Sequence, residues 1–172
     1  MQESANNNVA STGYLEIISF HLGKQVFCVN IMSVREIRGW APSTTLPHSP
    51  PHVLGVINLR GIVVPVLDLR RRFDLPVKPV ESATVVIVIH LKEARTERTV
   101  GLVVDAVATV YDIGAEMVRE APDLGSGIGN DFILGLATIE ARMVILLDMP
   151  VLVNQGLFGL GSLDSGNDRV AA

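Results

Sequence analysis

Apolar positions in the chain fall in short runs broken by glycine, proline and polar residues, and no long helical stripe is present. The first runs, "YLEIISFHL" from Tyr14 and "QVFCV" from Gln25, flank "GK" and predict a β-hairpin. Asn30 then stands where it caps a short helix "IMSVREI", with Ile31, Val34 and Ile37 on one stripe and Arg35 and Glu36 off it. The proline-rich "APSTTLPHSPP" is a loop, since proline suits neither a helix interior nor a central strand. "VLGVINL" and "IVVPVLDL" follow as two strands around Arg60-Gly61, where glycine allows a tight reversal. Pro65 marks the second of them as an edge strand or a bulge.

Three more strands are predicted in "ATVVIVIHL" and "TVGLVVDAVATVYDI", with the charged Lys92-to-Arg98 segment as an exposed hairpin loop. A short helical piece around "GAEMVRE", the glycine-rich "PDLGSGIGND" and a last hairpin, "FILGLATIE" with "RMVILLD" turning at Ala141-Arg142, complete the pattern. Asp148 is placed to cap a closing helix "MPVLVN". Eight to ten short strands with few helices predict a mainly β fold, a barrel or sandwich. "TVVIVI" and "MVILL" are apolar on successive residues, so both faces of those strands are expected to be covered.

The 172 residues suffice for one domain or two small lobes sharing a core. Residues 1–13, rich in Asn and Ser, are expected to be a disordered tail, residues 14–155 the folded domain, and residues 156–172 a loose tail. No run reaches the roughly 18 apolar residues of a membrane span, and the start lacks the apolar core of a secretory signal, which predicts a cytoplasmic protein. A net charge of −4, with basic residues clustered only at Arg70–Arg72 and in the mixed-sign Lys92–Arg98 run, gives no footprint for nucleic acid. The lone Cys28, between apolar neighbours, reads as a buried small hydrophobe.

Candidate chemistry is sparse. His48 and His52 are separated by Pro50 and Pro51 and so cannot share a helical face as zinc ligands, while His21 and His90 fall in strand runs as surface or edge residues. "LGSGIGN" lacks the third glycine of a dinucleotide loop and the lysine ending of a phosphate loop. Asp68, Asp105 and Asp148 each end an apolar run, where carboxylates bond nearby backbone N–H groups in turns and caps. No converging acid–base set emerges, so neither an enzyme, a cofactor nor a metal is expected.

The motif "GVINLRGIVVPVLDLRRRF", preceded by "VREIRGW" and followed by "TVVIVIHL", "TVGLVVDAV" and "ILGLATIEARMVILLDMPVLV", resembles the CheW family of chemotaxis coupling proteins in content and order. The resemblance implies two intertwined five-stranded SH3-like β-barrels sharing a hydrophobic core, with a few short helices. It implies a non-enzymatic adaptor, recruited to membrane-associated arrays, that binds the cytoplasmic hairpin tip of chemoreceptors and the regulatory domain of the CheA kinase, with self-association in arrays as a further option. Carried over by motif, Val34, Glu36, Gly55, Arg60, Val85, Gly101, Val104 and Val107 are the candidate receptor- or kinase-binding residues. For Arg60 two roles stand open: a docking contact, or a structural pair with an acid such as Asp68. Each valine could equally be core.

Overall fold

The computed structural model describes residues 13–122 and 130–156. The expected terminal tails and most of the glycine-rich loop lie outside the described residues. Eleven strands form two sheets: β1 (Tyr14–Leu22), β2 (Gln25–Asn30), β3 (Val34–Gly39), β4 (Val53–Leu59), β5 (Ile62–Asp68), β6 (Val85–Lys92), β7 (Glu97–Val104), β8 (Ala106–Gly114), β9 (Val118–Arg119), β10 (Ile133–Ile139) and β11 (Arg142–Leu147). Two short helices, α1 (Leu69–Arg72) and α2 (Met149–Val151), follow β5 and β11.

The middle of the chain builds one sheet, in the order β3-β6-β7-β5-β4. It closes because the chain leaving β3 returns through Thr44, which exchanges backbone hydrogen bonds with Val56 of β4. We term it barrel 1. Both ends of the chain build the other sheet, β8-β1-β2-β11-β10-β9, in which the two-residue β9, one 3-10 turn beyond β8, pairs with β10 and closes barrel 2. The expected pair of five-stranded barrels is present, with β9 as a short closing strand. They are intertwined because barrel 2 starts before barrel 1 and finishes after it.

Three apolar clusters explain why residues that are apolar in succession are tolerated. Val86 and Val88 of β6 point into barrel 1 with Leu59, Val64, Val66 and Val103, whereas Ile87, Ile89 and Leu91 point into a cluster shared by both barrels. On β11, Val144 and Leu146 fill barrel 2, and Leu147 enters the shared cluster. Phe20 and Phe27 of barrel 2 stack there with Phe73 of barrel 1, at centroid separations of 6.1 and 5.6 Å. Cys28 is fully buried in barrel 2, and burial pushes its thiol up to about 12.

The two halves repeat one unit. "LGVINLRGIVVPVLDL" and "LGLATIEARMVILLDM" form the hairpins β4–β5 and β10–β11. Both shift register at a glycine, Gly55 or Gly135, and both end on a helix-capping aspartate, Asp68 or Asp148. Those glycines sit where a closing segment crosses, since a Cβ on Gly55 would collide with the Thr44 carbonyl and one on Gly135 would press on Arg119. Gly55 also has φ +145, a backbone that suits glycine.

Several expectations need correcting. The helix over Ile31–Ile37 is only a 3-10 turn, Ile31–Ser33, which Asn30 caps by accepting from the Met32 N–H. Val34–Gly39 is strand β3, because pairing with β6 outweighs a weak helical spacing. The Ile31, Val34, Ile37 stripe therefore does not exist, and Ile37 is exposed. "GAEMVRE" is likewise a 3-10 turn followed by β9. The Lys92–Arg98 loop narrows to residues 93–96, as Lys92 pairs with Glu97 and Leu91 with Arg98. The last hairpin turns at Glu140–Ala141, both with positive φ. Finally, β5 is not an edge strand. Pro65 is tolerated because its partner Val56 directs its own N–H and C=O to Thr44, so the pair needs no hydrogen bond across β4–β5, and parallel pairing to β7 begins only at Val66.

Two outcomes follow for stability. Cys28 should resist alkylation by a maleimide in the folded state and react only as fast as the chain unfolds. Because its folded pKa is raised above the ordinary 9.0, its contribution is present below that pH and lost between about pH 9 and 12, which denaturation midpoints across that window would reveal. Gly55→Ala should cost about 1–3 kcal/mol in urea unfolding, through backbone strain and loss of the Thr44 bridge.

Candidate functional site

The β4–β5 turn presents Arg60 and Gly61 with φ 52 and 86, both left-handed, as a two-residue reversal requires. Arginine at the first of these positions costs about 1–2 kcal/mol relative to a residue free of that strain. The Asn58 side chain supports the turn by accepting from the Gly61 N–H at 2.8 Å. The Arg60 side chain is 75% exposed and donates from one terminal nitrogen to Glu36 Oε2 at 2.8 Å. Arg38 approaches the other Glu36 oxygen at 3.7 Å. Glu36 is on β3 and Arg60 follows β4, so the ion pair spans the two strands at opposite ends of the barrel 1 sheet. Beside it a cavity lies between those strands, lined by Arg38, Thr44, Val56, Asn58 and Val86 among others.

The rival pairing of Arg60 with Asp68 does not occur. Asp68 is buried and engaged by Arg70 through two parallel bonds, Nε to Oδ1 and a terminal nitrogen to Oδ2, each 3.0 Å. Arg70 has 4% of its side chain exposed, and its remaining terminal nitrogen donates to Asp105 Oδ1 at 3.0 Å and to the Lys78 carbonyl at 3.2 Å. Hydrogen bonding to Asp68 raises the Arg70 pKa above its ordinary value, and outweighs the opposing effect of burial. Sequence reading missed this network. Arg70 was hidden in a run of three arginines, and only the fold turns it inward while Arg71 stays half exposed.

The other candidates occupy a second region. Val104 is a fully buried member of the shared cluster, and Val34, Val85 and Val107, partly exposed, pack on that cluster from the starts of β3, β6 and β8. Val85 and Val104 face each other across β6–β7, Val34 faces Ile89, and Val107 faces Phe20. They border the shared cluster at separate places, Val34 and Val85 at opposite ends of the β3–β6 pair, with Glu36 two residues beyond Val34. Gly55 and Gly101 are buried backbone positions: Gly55 admits Thr44, and Gly101 packs beneath Val86. His90 is half buried and bonds Thr99, and among the described residues no three His, Cys, Asp or Glu side chains gather as a metal site. No helix among the described residues is long and apolar enough to cross a membrane.

Comparison with known proteins agrees with this architecture. The family model for the CheW-like domain matches residues 16–156. A probable chemotaxis protein CheW of Rhizobium etli is 43% identical over 83% of this chain and 90% of its own length. The chemotaxis protein CheW of Rhizobium meliloti is 42% identical over 81% and 87%, and that of Klebsiella aerogenes 36% identical over 81% of each. Among solved structures, the scaffolding protein TtCheW of Thermoanaerobacter tengcongensis superposes with a TM-score of 0.71 at 27% identity, over 78% of this chain and 84% of that one. With its two closed barrels, their shared core and the Arg60 hairpin in the family's order, the chain belongs to the CheW-like domain family.

Proposed function

We propose that this protein is a chemotaxis adaptor that couples chemoreceptors to the CheA histidine kinase through protein–protein contacts, without chemistry of its own. The observation that carries this reading is the exposed Glu36–Arg60 pair, which spans β3 and β4 beside the partly exposed Val34. A charged pair beside a partly exposed apolar side chain suits a helix that docks apolar anchors and is oriented by its polar flank. The cytoplasmic tip of a chemoreceptor is such a partner, and the regulatory domain of the kinase is the second.

Arg60 supports the reading by its conformation. A left-handed arginine with three quarters of its side chain in solvent gains little for the fold, since exposed ion pairs contribute about 0–1 kcal/mol. Its five-donor fork remains largely available to a partner, because Glu36 engages only one nitrogen. Gly55, Gly101 and Val104 act from within: they shape the strands that present the surface. Recruitment to membrane-associated arrays follows from the receptor partner.

Arg60→Ala and Glu36→Lys should each change unfolding free energy by about 1 kcal/mol or less. Each should weaken binding to a soluble receptor-tip hairpin or to the kinase regulatory domain about tenfold or more, measured by calorimetry. The swapped pair Glu36→Arg with Arg60→Glu should restore the internal bridge and leave binding impaired. Unchanged affinity for both partners in both single variants would remove this surface from the reading. The reading as a whole is tested by reconstituting receptor-controlled kinase activity with and without the protein.

A further inference from the structure

Asp105 is the single residue between β7 and β8, the point where the chain leaves barrel 1 for barrel 2. Barrel 2 holds it twice. Its Oδ2 accepts from the Gly23 N–H in the β1–β2 turn at 2.7 Å, and its own N–H donates to the His21 carbonyl at 3.0 Å. Barrel 1 holds it once, through the buried Arg70, which Asp68 fixes from the other side. The chain Asp68–Arg70–Asp105–Gly23 therefore joins the barrels by directed, charge-assisted bonds. Such bonds constrain orientation more tightly than the apolar packing around them.

The repeat unit supplies an internal comparison. Asp148 caps α2 as Asp68 caps α1, by accepting a backbone N–H, yet the residue two beyond it is Pro150, so no arginine reaches across. Among the described residues, the matching unit of barrel 2 carries no such network. What barrel 1 adds is the grip on the crossover, and the crossover carries Val104 immediately before Asp105 and Val107 two residues after it.

We infer that Arg70 is a positioning residue: through Asp105 it fixes the β7–β8 crossover, with the buried Val104 on one side and the partly exposed Val107 on the other, so that affinity for a helical partner that docks at Val107 depends on a buried ion network that the partner never touches. The partner's identity rests on the adaptor reading above. The clamp rests on the geometry alone.

Asp105→Asn keeps the shape of the side chain and an acceptor for Gly23, and removes the ion pair. Arg70→Lys keeps the charge and loses the fork that reaches two carboxylates. Asp148→Asn perturbs the matching cap in barrel 2 and serves as the control. Methyl NMR of Val104 and Val107, amide exchange at Gly23, thermal unfolding and calorimetry with a receptor-tip hairpin read the outcome. Asp105→Asn should displace the Val104 and Val107 methyl signals and leave those of Ile139 and Val144 in place. It should also speed Gly23 exchange about tenfold. Hairpin affinity should fall about fivefold or more. Asp148→Asn should lower the Tm without any of these three effects. If Asp105→Asn does not fold, Arg70→Lys decides by the same readouts. Unmoved Val104 and Val107 signals in a folded variant, or an affinity loss no greater than that of Asp148→Asn, overturns the inference. A wild-type chain that fails to bind the hairpin would instead overturn the adaptor reading, and the methyl and exchange data would still judge the clamp.

Discussion

The two barrels share one apolar cluster, and most of the architecture depends on that sharing. Phe20, Leu22, Phe27 and Val29 from barrel 2 interleave with Leu67, Leu69, Phe73, Ile87, Ile89, Leu102 and Val104 from barrel 1. Neither half could expose those side chains alone, since burying each contributes about 1.5–3 kcal/mol. The strands that separate the shared cluster from the barrel interiors must then be apolar on both faces, and β6 and β11 are. Polar residues on these walls are few and fully engaged: buried Ser19 both donates to the Thr109 carbonyl and accepts from the Thr109 N–H, patching the bulge of β8.

Repetition and its breaking account for the surface. The hairpins β4–β5 and β10–β11 share a register shift at a glycine, a positive-φ pair at the turn and a capping aspartate. Their chemistry differs. The first turn carries Arg60, which bridges to Glu36, and the second carries Glu140 and Ala141. Asp68 belongs to a buried ion network, and Asp148 only caps a helix. Barrel 1 thus carries both the charged pair and the ion network that reaches the crossover.

Legibility from the sequence followed the kind of interaction involved. Strand runs were readable wherever β-branched residues filled both faces, because burial and β-propensity agree there, as in "TVVIVI". The segment from Ile31 to Ile37 misled because an apolar spacing of three fits a helix locally, whereas pairing with β6 is a long-range effect that no local window contains. The internal repeat was present throughout: Gly55 with Gly135 and Asp68 with Asp148 stand at matching places in the two hairpin segments. A search for self-similarity would have found it and predicted two like barrels directly. Arg70 could not have been separated from Arg71 and Arg72 by composition, since their difference is the direction each faces on a four-residue helix.

The sequence by itself determined the mainly β class, the Arg60-Gly61 turn, the capping roles of Asn30, Asp68 and Asp148, the burial of Cys28 and, through the motif around Arg60, the family. These are local in origin or sum over many positions, so turn chemistry and apolar pattern suffice to read them. The tertiary structure alone decided that Arg60 reaches Glu36 rather than Asp68, that Arg70 ties Asp68 to Asp105, and that Val34, Val85, Val104 and Val107 all pack in or on the shared cluster. Each joins residues distant in the chain, and which charge finds which partner is set by how the barrels close and cross, a geometry that exists only once both have folded.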